Sequence, residues 1–196
     1  NGQKSYEKKY KDGKLDKENG WYENGQKSYE KKYKDGKLDE KWTFWSPDGQ
    51  DSSQVNEQGY GEEIEWYENG QKKSEVEVIG GKWNGLYTSW YESGHKSMEV
   101  NYMDGKRHGS FVWLYERGNK KSESTYSNGR RDGILTSWYE NGSKKSEGTY
   151  KSGKLDGKEF GWYENGQKRS EKGSINGKMF YKEWNEDGSI RKDFIY

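Results

Sequence analysis

The residue types that most often carry chemistry are scarce in this sequence. Histidine occurs only at His95 and His108, on opposite turn edges, and each stands where the surrounding pattern otherwise has Gln or Asp. A protein zinc site needs three or four ligands, and no third partner accompanies these two side chains. The 196-residue chain also lacks cysteine, which excludes disulfides and thiolate-bound metals. We therefore expect no metal site.

Other reactive side chains are present but evenly repeated. The 34 acidic residues follow a regular pattern, whereas acid–base catalysis needs a unique pair of carboxyls in a desolvated pocket. Serines recur at one position without a neighbouring base (Ser74, Ser122, Ser146, Ser170). The glycines precede no helix, so they do not form a phosphate-binding loop. We expect no catalytic residue, no cofactor and no enzymatic activity.

The glycines define the pattern. Aligned on a Trp-Tyr-Glu-Asn-Gly motif, one series recurs at a spacing of about 24 residues, as in a repeat protein: Gly2, Gly25, Gly49, Gly70, Gly94, Gly118, Gly142, Gly166 and Gly188. A second series falls near the middle of seven of the eight intervals: Gly13, Gly36, Gly81, Gly105, Gly129, Gly153 and Gly177. The chain is therefore a tandem array of about eight repeats, each divided into arms of about 11 and about 13 residues.

These glycines predict β-hairpins. Asn-Gly and Asp-Gly between strand-like runs favour two-residue type I′ turns, which need positive φ at both central residues. Asn141-Gly142 and Asp104-Gly105 are examples from the two series. The intervening segments are rich in Trp, Tyr, Thr and Ser and lack helical periodicity. We predict an all-β fold, an elongated single-layer antiparallel meander of hairpin repeats that forms one array over residues 1–196.

Two-residue loops also predict which side chains share a face. They place the motif tyrosines opposite a lysine on one better-packed face, and the motif tryptophans on the other, wetter face. A one-residue bulge would exchange parts of these faces. Lysines and glutamates recur across neighbouring strands and would form stabilising rows of opposite charge.

Two irregularities interrupt the repeats. Around residues 46–63 the step from Gly49 to Gly70 is shorter than the others, and the Trp-Tyr pair loses its second member. We expect a local kink or bulge there, with a specialised binding spot as the alternative. The glycine that follows the second-series turn in later repeats (Gly85, Gly109, Gly133, Gly157) is replaced by Lys17 and Glu40 in the first two.

Composition limits the partners. The net charge is +1, from 35 basic and 34 acidic residues, whereas nucleic acids and anionic membranes favour a strongly basic face. We therefore expect no nucleic acid and no membrane lipid. No apolar run is long enough to predict a transmembrane helix. The compartment stays open, with a secreted or surface location slightly favoured over the cytoplasm.

The repeat resembles a known family. The segment Tyr150-Lys-Ser-Gly153-Lys-Leu-Asp-Gly157, followed by Trp162-Tyr-Glu-Asn-Gly166, is similar to the MORN repeat, and more specifically to the bacterial variant in proteins catalogued as YwqK-type antitoxins. The likeness extends over essentially the whole chain. It implies a twisted single-layer sheet that serves as a protein-binding or dimerising scaffold. The antitoxin likeness would add a toxin as partner.

We predict a non-catalytic scaffold for protein–protein interaction, at the bacterial surface or in an antitoxin-like role. Trp and Tyr dominate interface hot spots, and the predicted binding residues are Trp66, Trp90, Trp138, Trp162, Tyr91, Tyr115, Tyr139 and Tyr163. The alternative is a glycan or cell-wall binding module, because rows of Trp and Tyr stack on sugar rings. Self-association through sheet edges is a further expected contact.

Overall fold

The computed structural model describes residues 5–35, 37–38, 42–56, 58–175 and 178–195. All regular structure in these residues is β, in nineteen strands. Consecutive strands pair antiparallel and are joined by turns. The predicted all-β meander of hairpin repeats is thus confirmed. In the described part of the chain, no helix has the length and apolar character needed to cross a membrane.

Contacts divide the chain into two units, residues 1–96 with 102–105, and residues 97–101 with 106–196. The first unit holds β1 (Tyr6–Lys11), β2 (Lys14–Trp21), β3 (Lys27–Lys34), β4 (Lys37–Leu38), β5 (Trp42–Trp45), β6 (Ser52–Val55), β7 (Gly61–Trp66), β8 (Lys72–Ile79) and β9 (Lys82–Trp90). The next strand, β10 (Lys96–Met103), has residues in both units.

The second unit holds β11 (Lys106–Leu114), β12 (Lys120–Ser127), β13 (Arg130–Arg131), β14 (Gly133–Trp138), β15 (Lys144–Lys151), β16 (Lys154–Trp162), β17 (Lys168–Ile175), β18 (Lys178–Trp184) and β19 (Ile190–Ile195). Its long strands are six to nine residues, as the short arms of the repeat require. Many carry a register shift before the motif tryptophan, for example between Ser137 and Trp138.

The turns of the second glycine series, here called the tight turns, match the predicted type I′ geometry. Asp104 has φ 51° and Gly105 φ 76°, and Asn128-Gly129 and Ser152-Gly153 have the same pair of signs. Each of these tight turns is also bonded to the one before it. The Gly129 N–H donates to the Arg107 carbonyl at 2.8 Å, and the Gly153 N–H donates to the Arg131 carbonyl at 2.8 Å. The tight turns therefore hold their edge of the sheet together. Gly36 and Gly177 lie outside the described residues.

The turns of the first series, here called the wide turns, differ from the predicted type I′ loops. In the turn at Tyr139–Ser143, the Gly142 N–H donates to the Tyr139 carbonyl at 3.0 Å, and the Tyr139 N–H donates to the Ser143 carbonyl at 2.9 Å. Positive φ occurs at Gly142 alone. The loop is therefore a three-residue loop with one left-handed glycine. The Asn141 Oδ1 stabilises it by accepting the Ser143 N–H at 2.8 Å.

The extra loop residue changes the cross-strand register. Trp138, and not Tyr139, lies opposite Lys144, and the same pairing occurs at Trp21–Lys27. The predicted facing of tyrosine and lysine is wrong for this reason. A two-residue loop would have paired Tyr139 with Lys144. The three-residue loop shifts the register by one residue, so that Lys144 pairs with Trp138.

Residues 46–63 form the irregular part of the first unit. β5 and β6 have four residues each, and β6 meets β7 through the single pair Val55–Gly61. Gly61 has φ 149°, and a Cβ there would lie 1.9 Å from the Gln54 carbonyl oxygen. Only glycine fits at this position.

The first unit has one buried apolar core. Side chains far apart in sequence pack together in one buried cluster: Tyr22, Phe44, Val55, Trp66 and Val78, with Tyr29, Trp42, Ile64 and Trp83 around it. Val55 and Val78 are almost fully buried. The second unit has fewer buried apolar side chains, Val100, Tyr126 and Phe180. Its sheet relies more on contacts that repeat from hairpin to hairpin.

The glycine after the tight turn has a defined geometric role. Gly85, Gly109, Gly133 and Gly157 all have positive φ. A Cβ at Gly133 would lie 2.2 Å from the Thr125 Oγ1. Lys17, which replaces this glycine in the first repeat, does not have positive φ, and the strand pair shifts register between Lys9 and Tyr10. Glu40 lies outside the described residues.

Candidate interaction surfaces

The motif tyrosines bind successive hairpins together. Five of their hydroxyls donate to the carbonyl of the motif tryptophan in the next repeat, at 2.7–2.9 Å: Tyr22 to Trp45, Tyr67 to Trp90, Tyr115 to Trp138, Tyr139 to Trp162, and Tyr163 to Trp184. A hydrogen bond of this kind contributes about 1 kcal/mol. Tyr91 is half-buried like Tyr115 and Tyr139, and its N–H donates to the His95 carbonyl at 2.8 Å.

The wide turns are linked as well. The Asn24 Nδ2 donates to the Pro47 carbonyl at 2.9 Å, and the Asn69 Nδ2 donates to the Glu92 carbonyl at 2.9 Å. The Ser143 Oγ donates to the Glu164 carbonyl at 3.0 Å. The tyrosine and turn contacts therefore fix the spacing of neighbouring repeats along this edge.

The motif tryptophans lie in a recurring set of three side chains. In four repeats, the lysine two residues after the wide-turn glycine places its ammonium over the indole of the next repeat, and it pairs with a glutamate three residues further on. These Trp–Lys–Glu sets are Trp45–Lys27–Glu30, Trp138–Lys120–Glu123, Trp162–Lys144–Glu147 and Trp184–Lys168–Glu171. The ammonium lies 5.3–5.9 Å from the ring centroid, within the range of a cation–π contact.

Two glutamates of these sets bind a second lysine. Burial opposes ionisation of Glu30, but hydrogen bonds from Lys17 and Lys27 outweigh it and lower the pKa of this carboxyl to about 2. In the last set, hydrogen bonds from Lys158 and Lys168 lower the pKa of Glu171. These two carboxylates are therefore charged at neutral pH and hold the lysines above the indoles.

The predicted binding residues differ in exposure. Trp66 is 7% exposed and belongs to the core of the first unit, so the expectation of a wet Trp face does not apply to it. Trp90, Trp138 and Trp162 are half-buried. Tyr115, Tyr139 and Tyr163 are also half-buried, with their hydroxyls bonded to backbone carbonyls. The structure thus leaves Trp90, Trp138 and Trp162 partly accessible and uses the hydroxyls of these tyrosines internally.

A concave site lies beside the irregular segment of the first unit. It has a volume of about 350 Å³ and is lined mainly by aromatic side chains, with two carboxylates and one ammonium: Trp21, Tyr22, Ser28, Tyr29, Phe44, Ile64, Glu65, Trp66, Tyr67, Glu68 and Lys73. The Glu68 Oε1 accepts the Glu23 N–H at 3.1 Å, which joins two wide turns that are distant in sequence. We call this site the aromatic cavity.

Comparison with known families agrees with the repeat pattern. The model of the MORN repeat variant matches five consecutive segments, residues 60–79, 83–104, 107–128, 131–152 and 155–176, which together make up more than half of the chain. The chain belongs to the MORN repeat variant family. A search of curated proteins found no match.

Membership of the family supports a repeat scaffold of a generally non-enzymatic kind, typically one that binds proteins or membranes. The five MORN matches begin at Tyr60, after most of the irregular segment. The aromatic cavity therefore combines one matched repeat, at Ile64 to Lys73, with residues before the first match. Among the described residues, no group of three or more His, Asp or Glu side chains could hold a metal ion.

The sequence pattern did not reveal the Trp–Lys–Glu sets or the aromatic cavity. The spacing of lysine and glutamate can be read from the sequence. The position of the lysine over the tryptophan, however, depends on the three-residue wide turn. The cavity had no signal in the repeat, because it depends on the approach of Tyr22 to Trp66 across the irregular segment.

Proposed function

We propose that this MORN repeat chain is a non-catalytic scaffold that binds another protein across the Trp–Lys–Glu sets of its second unit. The observation that carries the proposal is the repetition of one half-buried indole in one setting, at Trp138, Trp162 and Trp184. These residues end every second strand, so successive indoles lie roughly 10 Å apart. A partner with its own regular spacing would meet several equivalent contacts at once.

The chemistry of the sets favours a protein over a glycan. Tryptophan with flanking charged groups is typical of interface hot spots. Because a lysine lies over the indoles of Trp138, Trp162 and Trp184, a sugar ring would have to displace it before it could stack. A protein surface offers carboxylates that pair with the same lysines and apolar side chains that cover the indole edges. A toxin bound in an antitoxin-like role would be one such partner.

The test uses a photo-crosslinking amino acid in place of Lys144, in the full chain, to identify the partner. Its affinity is then measured by calorimetry for Trp138→Ala/Trp162→Ala. The matched control is Ile134→Ala, a residue 57% exposed and outside the sets. We expect the double variant to weaken binding by about 100-fold, at roughly 1–2 kcal/mol for each side chain, and the control to change it little.

Two results would contradict the proposal. One is a partner whose affinity is equal for the double variant and the wild type, with both proteins folded. The other is saturable binding on a glycan array that the same double substitution abolishes, which would assign the sets to carbohydrate.

A further inference from the structure

The aromatic cavity of the first unit combines ring surfaces with negative charge. Six aromatic residues line it: Trp21, Tyr22, Tyr29, Phe44, Trp66 and Tyr67. Tyr22, Phe44 and Trp66 are buried and form its inner part. Glu65 and Glu68 are exposed at its surface. Its volume of about 350 Å³ lies at the small end of the range for small-molecule sites.

Carboxylates outnumber ammonium groups among the residues that line the cavity. Two carboxylates, Glu65 and Glu68, stand against the single ammonium of Lys73. The Lys73–Glu65 pair has an N···O distance of 3.3 Å, and both side chains are about half exposed (51% and 47%), so this pair is weak and easily exchanged. Burial raises the pKa of Tyr22, and the carboxylates of Glu68 and Glu65 raise it further. The charges of both carboxylates therefore act on the Tyr22 side chain inside the cavity.

Neighbouring rings already accept an ammonium group. The Lys31 Nζ lies 4.5 Å from the ring centroid of Trp42, 5.4 Å from that of Phe44 and 5.5 Å from that of Tyr29. Phe44 and Tyr29 also line the cavity, whereas Lys31 does not. The faces of these aromatic side chains attract cations through their quadrupoles.

Neutral polar groups are less available. The Tyr22 and Tyr67 hydroxyls donate to the carbonyls of Trp45 and Trp90, at 2.7 and 2.8 Å. The Tyr29 hydroxyl is directed at Glu18, at 3.5 Å. A polyol needs many hydrogen-bond partners, and these three hydroxyls are already engaged as donors. A compact cation needs only ring faces and carboxylates.

We propose that the aromatic cavity is a binding site for a small organic ammonium ion, held by the aromatic rings and by Glu65 and Glu68. The ligand enters as the cation partner of these carboxylates and loosens the Lys73–Glu65 pair. This site is separate from the Trp–Lys–Glu sets proposed to bind protein, since Trp138, Trp162 and Trp184 do not line it.

The experiment titrates choline into the full chain by calorimetry, in parallel with 3,3-dimethylbutan-1-ol, its uncharged carbon isostere. We expect saturable choline binding at one site and binding of the neutral alcohol that is weaker by about tenfold or more, because only the cation gains the ring and carboxylate attraction. Equal binding of the two compounds would show an ordinary apolar cavity and overturn the proposal, as would a lack of saturable binding to choline.

Charge variants locate the site. Glu65→Gln/Glu68→Gln keeps the shape of both side chains and is expected to weaken choline binding about fivefold or more. Lys73→Met removes the competing ammonium and is expected to strengthen it about two- to fivefold. Matched controls at exposed positions of other repeats, Glu92→Gln/Glu140→Gln and Lys145→Met, should leave the affinity unchanged. Circular dichroism verifies that every variant is folded.

Two outcomes of the variant series would overturn the assignment. Choline binding that is the same in Glu65→Gln/Glu68→Gln as in the wild type would place the cation elsewhere. Competition by a neutral monosaccharide at concentrations where the alcohol has no effect would make the cavity a sugar site.

Discussion

At the scale of single residues, the motif tyrosine has a structural role that its side-chain type does not disclose. The sequence identifies tyrosine as a common hot-spot residue, and Tyr115, Tyr139 and Tyr163 were accordingly predicted to bind a partner. In the structure their hydroxyls join one repeat to the next. Spacing along the chain located these residues correctly but could not show that a carbonyl of the next repeat lies within reach.

Tyr139→Phe separates the two roles. The Tyr139 hydroxyl donates to the Trp162 carbonyl at 2.8 Å, and its loss leaves that half-buried carbonyl without this donor. We expect the free energy of unfolding to fall by about 1 kcal/mol, measured by urea denaturation. Tyr60→Phe, at a side chain 53% exposed, is the control and should change stability by less. If Tyr139→Phe lowered the affinity for the partner without lowering stability, Tyr139 would be a binding residue and not a structural one.

Glu30 makes the free energy of unfolding depend on pH in the acidic range. Its pKa is about 2 in the folded chain because of Lys17 and Lys27, and about 4.3 in an unfolded one. A lowered folded pKa stabilises the fold above the unfolded value. That contribution is lost as the pH falls from about 4.3 to about 2.

Glu30→Gln should therefore lower the free energy of unfolding by on the order of 1 kcal/mol at pH 7, and the difference from wild type should shrink toward pH 2. Denaturant titrations from pH 7 to pH 2 measure it. Glu140→Gln is the control, because Glu140 is 56% exposed and 3.8 Å from Arg117. A difference for Glu30→Gln that is constant over this pH range would contradict the role of the two lysines.

At the scale of elements, glycine positions predicted the hairpins well and the loop types only in part. The fully described tight turns with Asp-Gly or Asn-Gly have the expected positive φ at both residues. The wide turns also contain Asn-Gly, yet Asn141 caps its own loop through Ser143 and does not take positive φ. Asn and Asp can do either, and the dipeptide alone does not decide between them. The three-residue loop that results places motif tryptophans such as Trp138 opposite lysine.

Substitution of Gly61 tests the junction between β6 and β7. An alanine there would bring its Cβ to 1.9 Å from the Gln54 carbonyl oxygen, at φ 149°. At Gly157, φ is 96° and nothing lies within 4 Å of the added Cβ. We expect Gly157→Ala to cost about 1 kcal/mol through backbone strain alone, and Gly61→Ala about 3 kcal/mol or more, since it adds a clash with backbone. Equal costs by chemical denaturation would show that the β6–β7 junction relaxes freely.

At the scale of the whole chain, stability should be additive over repeats. The tyrosine bonds, the lysine–indole contacts and the links between turns each connect one repeat to the next, as in other repeat proteins whose energy is a sum of neighbour terms. The period was readable from glycine spacing alone. The aromatic cavity was not, because it depends on contacts across the one segment that departs from the period.

Deletion of residues 121–144 tests this additivity. It joins Lys120 to Lys145, which keeps the period, and it gives Lys120 the indole of Trp162 in place of that of Trp138. We expect a folded β-protein that unfolds cooperatively, with the dependence of unfolding free energy on denaturant reduced by about one eighth, the fraction of chain removed. Circular dichroism during denaturation measures both properties.

The control for this experiment is the deletion of residues 121–132, half of a repeat. It removes β13 and all of β12 except Lys120. Every later wide turn would then fall on the edge of the tight turns, and the tyrosine hydroxyls would lose their carbonyl partners. We expect this variant to lose cooperative unfolding although it removes fewer residues. If both deletions were equally tolerated, the contacts between successive repeats would not be what determines the register of this sheet.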